Sequence, residues 1–243
     1  NKGNMSGSRQ AVKAIKSAER IAIACHVNPD GDAIGSLLSL GLGLEKLGKK
    51  VQMISRDGVP RKYRRLPGAA RVRTGLGRKP DLGITVDCST PDMLGGVFSS
   101  LGGNTPILEI DHHDTREPFG QVQMIDPEAA AVGEMVYTLL NAMKVEITRQ
   151  IAENILTSVI VETCSFRLPN VRPFTFKVSE QMLNAGVDFY KLVDTVYWSH
   201  TKEVAVLSGV CMARCAFLSK GRLAWSYIDR EDLRKGGGRD EDV

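Results

Sequence analysis

Three short stretches of this sequence concentrate side chains that bind metals and move protons. They are His26-Val-Asn-Pro-Asp30-Gly-Asp32, Asp87 after Gly-Ile-Thr-Val, and Asp111-His112-His113 after Ile-Leu-Glu-Ile. Of the four histidines in the chain, only His200 lies outside them. Taken alone, each stretch has an ordinary structural explanation. Asp30 and Asp32 suit a turn and a helix N-cap, Asp87 a polar strand end, and a histidine a satisfied place in a core. The conjunction asks for more, because carboxylates and imidazoles gathered at one place repel or desolvate one another. Divalent cations remove that cost, and a mixed imidazole and carboxylate set suits Mn²⁺ or a similar ion better than Ca²⁺. His26 and Asp30 stand four residues apart, with Asp32 two further on. Such a loop can feed two ions, Asp30 facing one and Asp32 the other, with Asp87 as a bridge. Two metals about 3.5–4 Å apart activate water against phosphodiesters and phosphomonoesters, each stabilising one side of an in-line displacement.

A sheet must hold these residues together. Short β-branched runs over 21–25, 51–54, 82–86 and 107–110 read as buried strands, with a further one over 121–125. Helical spacing marks 8–19, 33–48, 133–143, 149–161, 171–185 and 187–197. Strand, loop, helix and strand in succession make a βαβ unit. Its repetition predicts an α/β fold, a mainly parallel β-sheet flanked by helices. In such a sheet ligands bind at the carboxyl ends of the strands, and all three chemical stretches are strand exits on that edge. After residue 198 the texture changes to a helix over 201–215 and two short strands, 216–219 and 222–227, around a Lys220-Gly221 turn. The expected organisation is a catalytic domain with linker helices over 1–198. Residues 199–243 then begin a smaller α+β domain that cannot bury much core alone.

The chain has 243 residues, 42% hydrophobic and 25% charged, which excludes a disordered or collagen-like polymer. No apolar run approaches the ~20 residues of a membrane-spanning helix. The polar, glycine-rich start lacks the apolar core of a secretory signal. Five cysteines, odd in number and without zinc or redox spacing, read as a reduced, cytoplasmic protein. The net charge of +4 is modest, but residues 61–79 hold eight Lys or Arg and no acid. Such a run can hold phosphates or simply face solvent.

The three stretches, in this order and spacing, resemble the DHH-family phosphoesterases over about residues 8–230, and within that family the bacterial nano-RNases, the oligoribonuclease and 3′-phosphoadenosine-5′-phosphate (pAp) phosphatase group. RecJ-type exonucleases and family II pyrophosphatases share the core. The resemblance implies two Mn²⁺ per active site. His26 and Asp30 would hold one ion, Asp32 and His112 the other, and Asp87 would bridge. His113 would contact the scissile phosphate and Asp111 would orient the histidines. It also implies short oligoribonucleotides or pAp as substrates, no membrane partner, and a homodimer as one assembly. The alternatives are a non-catalytic metal- or nucleotide-binding regulator, a RecJ-like single-strand exonuclease, or a phosphodiesterase of cyclic-dinucleotide products. Two places depart from the family. Its Asp-Thr-Gly-x-Phe pattern is matched here by Glu162-Thr163-Cys164-Ser165-Phe166, so Glu162 stands for a ligand aspartate and Cys164 for glycine. The family's C-terminal Gly-Gly-Gly-His loop is expected beyond Val243, since Gly236-Gly-Gly-Arg239 follows the hairpin too soon and ends in Arg. The second domain therefore reads as truncated.

Overall fold

The computed structural model describes residues 2–101 and 103–239, with side chains from residue 7 onward. The chain divides into two compact units, Asn1–Val196 and Tyr197–Val243.

The first unit is built on five parallel strands: β1 (Arg20–Cys25), β2 (Lys50–Ile54), β3 (Leu82–Val86), β4 (Ile107–Asp111) and β5 (Val122–Ile125). Their order is β2-β1-β3-β4-β5. Both β3 and β4 are buried along their whole length, and β1 is buried after its first residue. This is why they read in the sequence as unbroken apolar runs rather than alternating ones. The chain leaves β1 to one side for β2 and resumes on the other side with β3. A crevice therefore opens between β1 and β3 at their carboxyl ends. The register sets what stands there. Cys25 pairs with Val86, and Val86 with Ile110, so the next rung is His26, Asp87 and Asp111.

Among the described residues, the helices that accompany the sheet are α1 (Lys2–Ser17), α2 (Gly31–Lys46), α3 (Gly96–Leu101), α4 (Val132–Ala142), α5 (Arg149–Glu162), α6 (Pro173–Asn184) and α7 (Phe189–Val193). Helix α2 is buried on nearly every side, and its glycines set how close its neighbours come. A Cβ on Gly35 would fall 2.4 Å from the backbone oxygen of Asn154 in α5. One on Gly31 would fall 2.4 Å from the Val161 side chain and 2.8 Å from the Tyr63 hydroxyl. The approach at Gly35 is to backbone, which cannot rotate away. Gly35→Ala should therefore destabilise the protein by ~1–3 kcal/mol, as overpacking does. At ~2–4 °C per kcal/mol in a chain of this size, a thermal melt will show it. An unchanged Tm would mean that α2 and α5 are not in this contact.

Some elements differ from expectation. The helix expected over 187–197 is the short α7 followed by a π turn, Asp194–Trp198. The basic stretch contains two 3-10 turns, Arg61–Tyr63 and Ala69–Arg71. Helix α3 and the 3-10 turn Pro91–Leu94 had no periodic signal long enough to find them.

The second unit holds α8 (Lys202–Ala213), an antiparallel hairpin of β6 (Ala216–Leu218) and β7 (Leu223–Trp225), and α9 (Arg230–Gly236). Helix α9 is fixed by a reciprocal cap between Asp229 and Asp232, and Arg214 grips Asp232 through both of its terminal nitrogens. Phe217, Leu218, Leu223 and Trp225 of the hairpin are exposed, in keeping with a unit too small for a core of its own. Residues 240–243 of the glycine and charge-rich tail lie outside the described residues. Among the described residues no helix is long and apolar enough to cross a membrane.

Candidate metal centre

His26 leaves β1 with its Nδ1 donating to the Val27 carbonyl at 2.8 Å. A carbonyl only accepts, so Nδ1 keeps a proton, and Nε2 is the nitrogen left to take a cation in place of its own proton. That Nε2 faces Asp87 Oδ2 at 3.5 Å and Asp30 Oδ1 at 3.8 Å. His112 is set in the same way. Its Nδ1 donates to the Ala129 carbonyl at 2.9 Å, which leaves Nε2 facing Asp32 Oδ2 at 3.7 Å, Asp87 Oδ1 at 3.8 Å and Glu162 Oε1 at 4.0 Å. These separations are too long for hydrogen bonds. They are what donors leave between themselves when they converge on a shared position.

Asp30 is indeed the N-cap of α2, its Oδ1 accepting the Ala33 N–H at 3.0 Å. The structural reading of this residue holds, and its carboxylate still faces His26. Asp32 is fully buried and takes hydrogen bonds from Ser158 Oγ at 2.7 Å, the Val132 N–H at 2.9 Å and Ser36 Oγ at 3.0 Å. Burial first, and then the charge of Asp87, push its carboxyl up to about 7. Asp87 stands at the centre with a left-handed backbone, φ 59°. It is buried, and its Oδ1 has no hydrogen-bond partner. A buried carboxylate oxygen without a donor is costly and needs an explanation.

Asp111 ends β4 and works on its neighbours. Its Oδ1 accepts from the His112 N–H at 2.9 Å and from His113 Nδ1 at 2.7 Å. That hydrogen bond holds the His113 imidazole up at about 9, while the ring remains partly exposed. Burial works against a charge on His26, yet Asp30 and Asp87 outweigh it and hold its imidazole up at about 10. Glu162, the last residue of α5, is half-buried, and burial raises its carboxyl although His112 pulls the other way.

The structure thus brings His26, Asp30, Asp32, Asp87, His112, His113 and Glu162 around one crevice, with Asp111 behind them. His200 lies in the second unit. Among the described residues two groups have donor atoms close enough to share an ion, His26 with Asp30 and Asp87, and Asp87 with His112 and His113. Asp87 belongs to both. The donor set and the orphaned Asp87 oxygen together fit a divalent cation.

Several supporting residues were not foreseen. Arg116 is partly buried, pairs with the buried Glu109, and has its Nε 3.8 Å from Asp111 Oδ2. The signal was present, because an acid in the apolar strand Ile-Leu-Glu-Ile has to find a partner. Asn170 Nδ2 donates to the carbonyls of Ala130 at 3.1 Å and Glu162 at 3.2 Å, tying the end of α5 to the segment that orients His112. Ser36 and Ser158, the hydroxyls on Asp32, carry no distinguishing pattern in the sequence.

Beyond Glu162, three successive non-glycine residues are left-handed: Cys164 (φ 45°), Ser165 (φ 56°) and Phe166 (φ 65°). Thr163 Oγ1 accepts the Phe166 N–H at 3.0 Å and closes this turn. Such backbone costs an L-residue ~1–2 kcal/mol. Cys164→Gly should therefore raise stability by ~0.5–1 kcal/mol, part of the relief being offset by the greater chain entropy of glycine. Denaturant unfolding measures this, and a loss of stability would show that the thiol makes a compensating contact.

Comparisons with known proteins agree with this geometry. Residues 20–161, more than half of the chain, match the family profile described as DHH family, N-terminal domain. A Thermus thermophilus protein named bifunctional oligoribonuclease and PAP phosphatase NrnA is 31% identical over 92% of this chain and 68% of its own length. The Bacillus subtilis protein of the same name is 23% identical over 94% of this chain and 72% of its own. The crystal structure of an exopolyphosphatase-related protein from Bacteroides fragilis superposes with a TM-score of 0.90 at 22% identity, covering 98% of this chain and 74% of that one, which establishes the shared fold. Domain profile and relative together identify this chain as a member of the DHH family of metal-dependent phosphoesterases.

Proposed function

We propose that this protein is a manganese-dependent phosphoesterase that hydrolyses short oligoribonucleotides to mononucleotides and pAp to AMP in the cytoplasm. Residues 1–198 would form its catalytic domain and residues 199–243 the start of a substrate-binding one. The observation that carries the reading is Asp87, a buried carboxylate with an unsatisfied oxygen, shared by two imidazole and carboxylate groups. The substrate class is supported by the names of the Thermus and Bacillus relatives.

His26, Asp30 and Asp87 would hold one Mn²⁺, and Asp87, Asp32, His112 and Glu162 the other. Bound there, the pair would supply an activated water and neutralise charge on the phosphate. The rest falls to the protein. The Val27 and Ala129 carbonyls fix the tautomers of His26 and His112, so that Nε2 of each is the donor. Ser36, Ser158 and the Val132 N–H hold the Asp32 carboxylate in one orientation. Asp111 keeps His113 charged with its Nε2 outward, where it donates to a phosphate oxygen as negative charge develops. Glu162 is one methylene longer than the family's aspartate and still reaches within 4.0 Å of His112 Nε2.

The test is Mn²⁺-dependent turnover of a panel: a ribodinucleotide, pAp, a cyclic dinucleotide and a long single strand. Release of mononucleotides from the dinucleotide, with AMP from pAp, is the expected result. Preference for the long strand would move the protein to the exonuclease reading. Mn²⁺ binding without turnover of any substrate would make it a regulator.

A further inference from the structure

Apart from the metal centre, the first unit holds a second cleft, of about 220 Å³, into which cations converge. Lys62, Arg65, Arg149 and Lys191 line it. They come from three places far apart in sequence: the 3-10 turn at Arg61–Tyr63 and the residues just after it, the first residue of α5, and α7. Glu153 and Asp188 line it too, so four positive charges face two negative ones. Among the described residues none of the four cations forms an ion pair with either acid. Lys62 instead lies over the Tyr63 ring, 4.9 Å from its centre, and Asp188 uses its Oδ1 to cap the Lys191 N–H. Elsewhere in the basic stretch charge is met by charge, as where Arg71 binds Glu45 at 2.9 Å.

The floor of the cleft is apolar, made by buried Leu66 and Leu192 and by the ring of Tyr63. Like charges held over a low-dielectric floor focus their field into the concavity and draw anions there. The volume equals about seven waters at ~30 Å³ each and falls below the ~300 Å³ of an ordinary small-molecule pocket. That suits a phosphate group and the start of what carries it, not a whole nucleotide chain. Arg149 and Glu153 stand thirteen and nine residues before Glu162 on α5. At 1.5 Å per residue the cleft is ~14–20 Å along that helix from the metal centre, too far to touch the phosphate being cleaved. Tyr63 belongs to both places, its ring in the cleft and its hydroxyl against Gly31, between Asp30 and Asp32.

We propose that this cleft is a second phosphate-binding site, separate from the site of hydrolysis. Two sources offer the same chemistry, a distal phosphate of a bound oligonucleotide or a free phosphate monoester. Only the first rests on the proposed substrate class.

Inorganic phosphate is titrated into the full chain without added metal, where the acidic metal centre repels anions, and chemical-shift changes are followed. The wild type should show one saturable site. Arg65→Glu and Arg149→Glu should each weaken it about tenfold or more while leaving Mn²⁺ affinity and dinucleotide turnover unchanged. Lys191→Ala, which removes one exposed charge without adding another, should weaken it less, and serves if a reversal disturbs folding. If the reversals also raise KM for a longer oligoribonucleotide and not for a dinucleotide, the source is the distal substrate phosphate. If they abolish phosphate binding and leave both KM values alone, it is the free anion. No saturable binding up to ~10 mM, or equal binding in all three variants, overturns the site. A dinucleotide hydrolysed normally alongside such a result leaves the function proposed above standing.

Discussion

Asp87→Asn should lower Mn²⁺-dependent turnover of a ribodinucleotide by ~10³-fold or more, about 4 kcal/mol of transition-state stabilisation. Asp87 is the carboxylate that both donor groups share. An amide in its place keeps the shape but supplies neither the negative charge nor a second anionic oxygen. The substitution is also gentle on the fold. Asparagine tolerates the left-handed backbone that Asp87 adopts, φ 59°. It also removes a charge that the metal-free protein buries without a donor on Oδ1. Without metal the variant should therefore melt at or above the wild-type temperature. Turnover and thermal melting together decide the case. Full activity contradicts the shared role, and a variant that is inactive because it is unfolded would assign Asp87 to structure instead.

Mn²⁺ should stabilise the wild-type chain strongly. Saturation at a hundred times Kd contributes ~2.7 kcal/mol per site, or ~5 kcal/mol for two. At ~2–4 °C per kcal/mol the Tm should rise by ~10–20 °C and fall back on addition of a chelator. The physical reason lies in the cluster itself. Asp32 and Asp87 are almost wholly removed from water, and the neighbouring imidazoles hold protons in place of cations. Metal replaces an incomplete neutralisation with a complete one. Asp87→Asn should lose most of the rise. A wild-type Tm indifferent to Mn²⁺ would mean that the acids are reconciled by hydrogen bonding alone.

The sheet and its active edge were legible in the sequence for one reason. Strands buried on both faces are short apolar runs, and the polar residues that interrupt them at His26, Asp87 and Asp111 fall on a single rung of the sheet. Parallel topology then forced those interruptions onto one edge. Roles carried by single hydrogen bonds were not legible. Ser158 holds Asp32 across 126 residues of sequence, and no local pattern marks such a pair. Nor does sequence show the left-handed run at Cys164, Ser165 and Phe166, because glycine, the usual marker of that conformation, is absent from all three positions. The basic stretch was visible as composition alone. Its charges diverge in the fold, Arg71 toward Glu45 on α2 and Arg65 toward α5 and α7. Where each side chain goes depends on partners that periodicity does not reveal. The pair of buried Glu109 and Arg116 stands between these cases, since the acid in an apolar strand announced a partner without saying which.

The most direct measurement is the number of Mn²⁺ ions the chain holds at equilibrium, wild type beside Asp87→Asn. Two ions per wild-type chain, and no more than one in the variant, is the expected result. A wild-type chain that takes up a single ion or none, or a variant that keeps both, would contradict the shared carboxylate on which the chemistry depends.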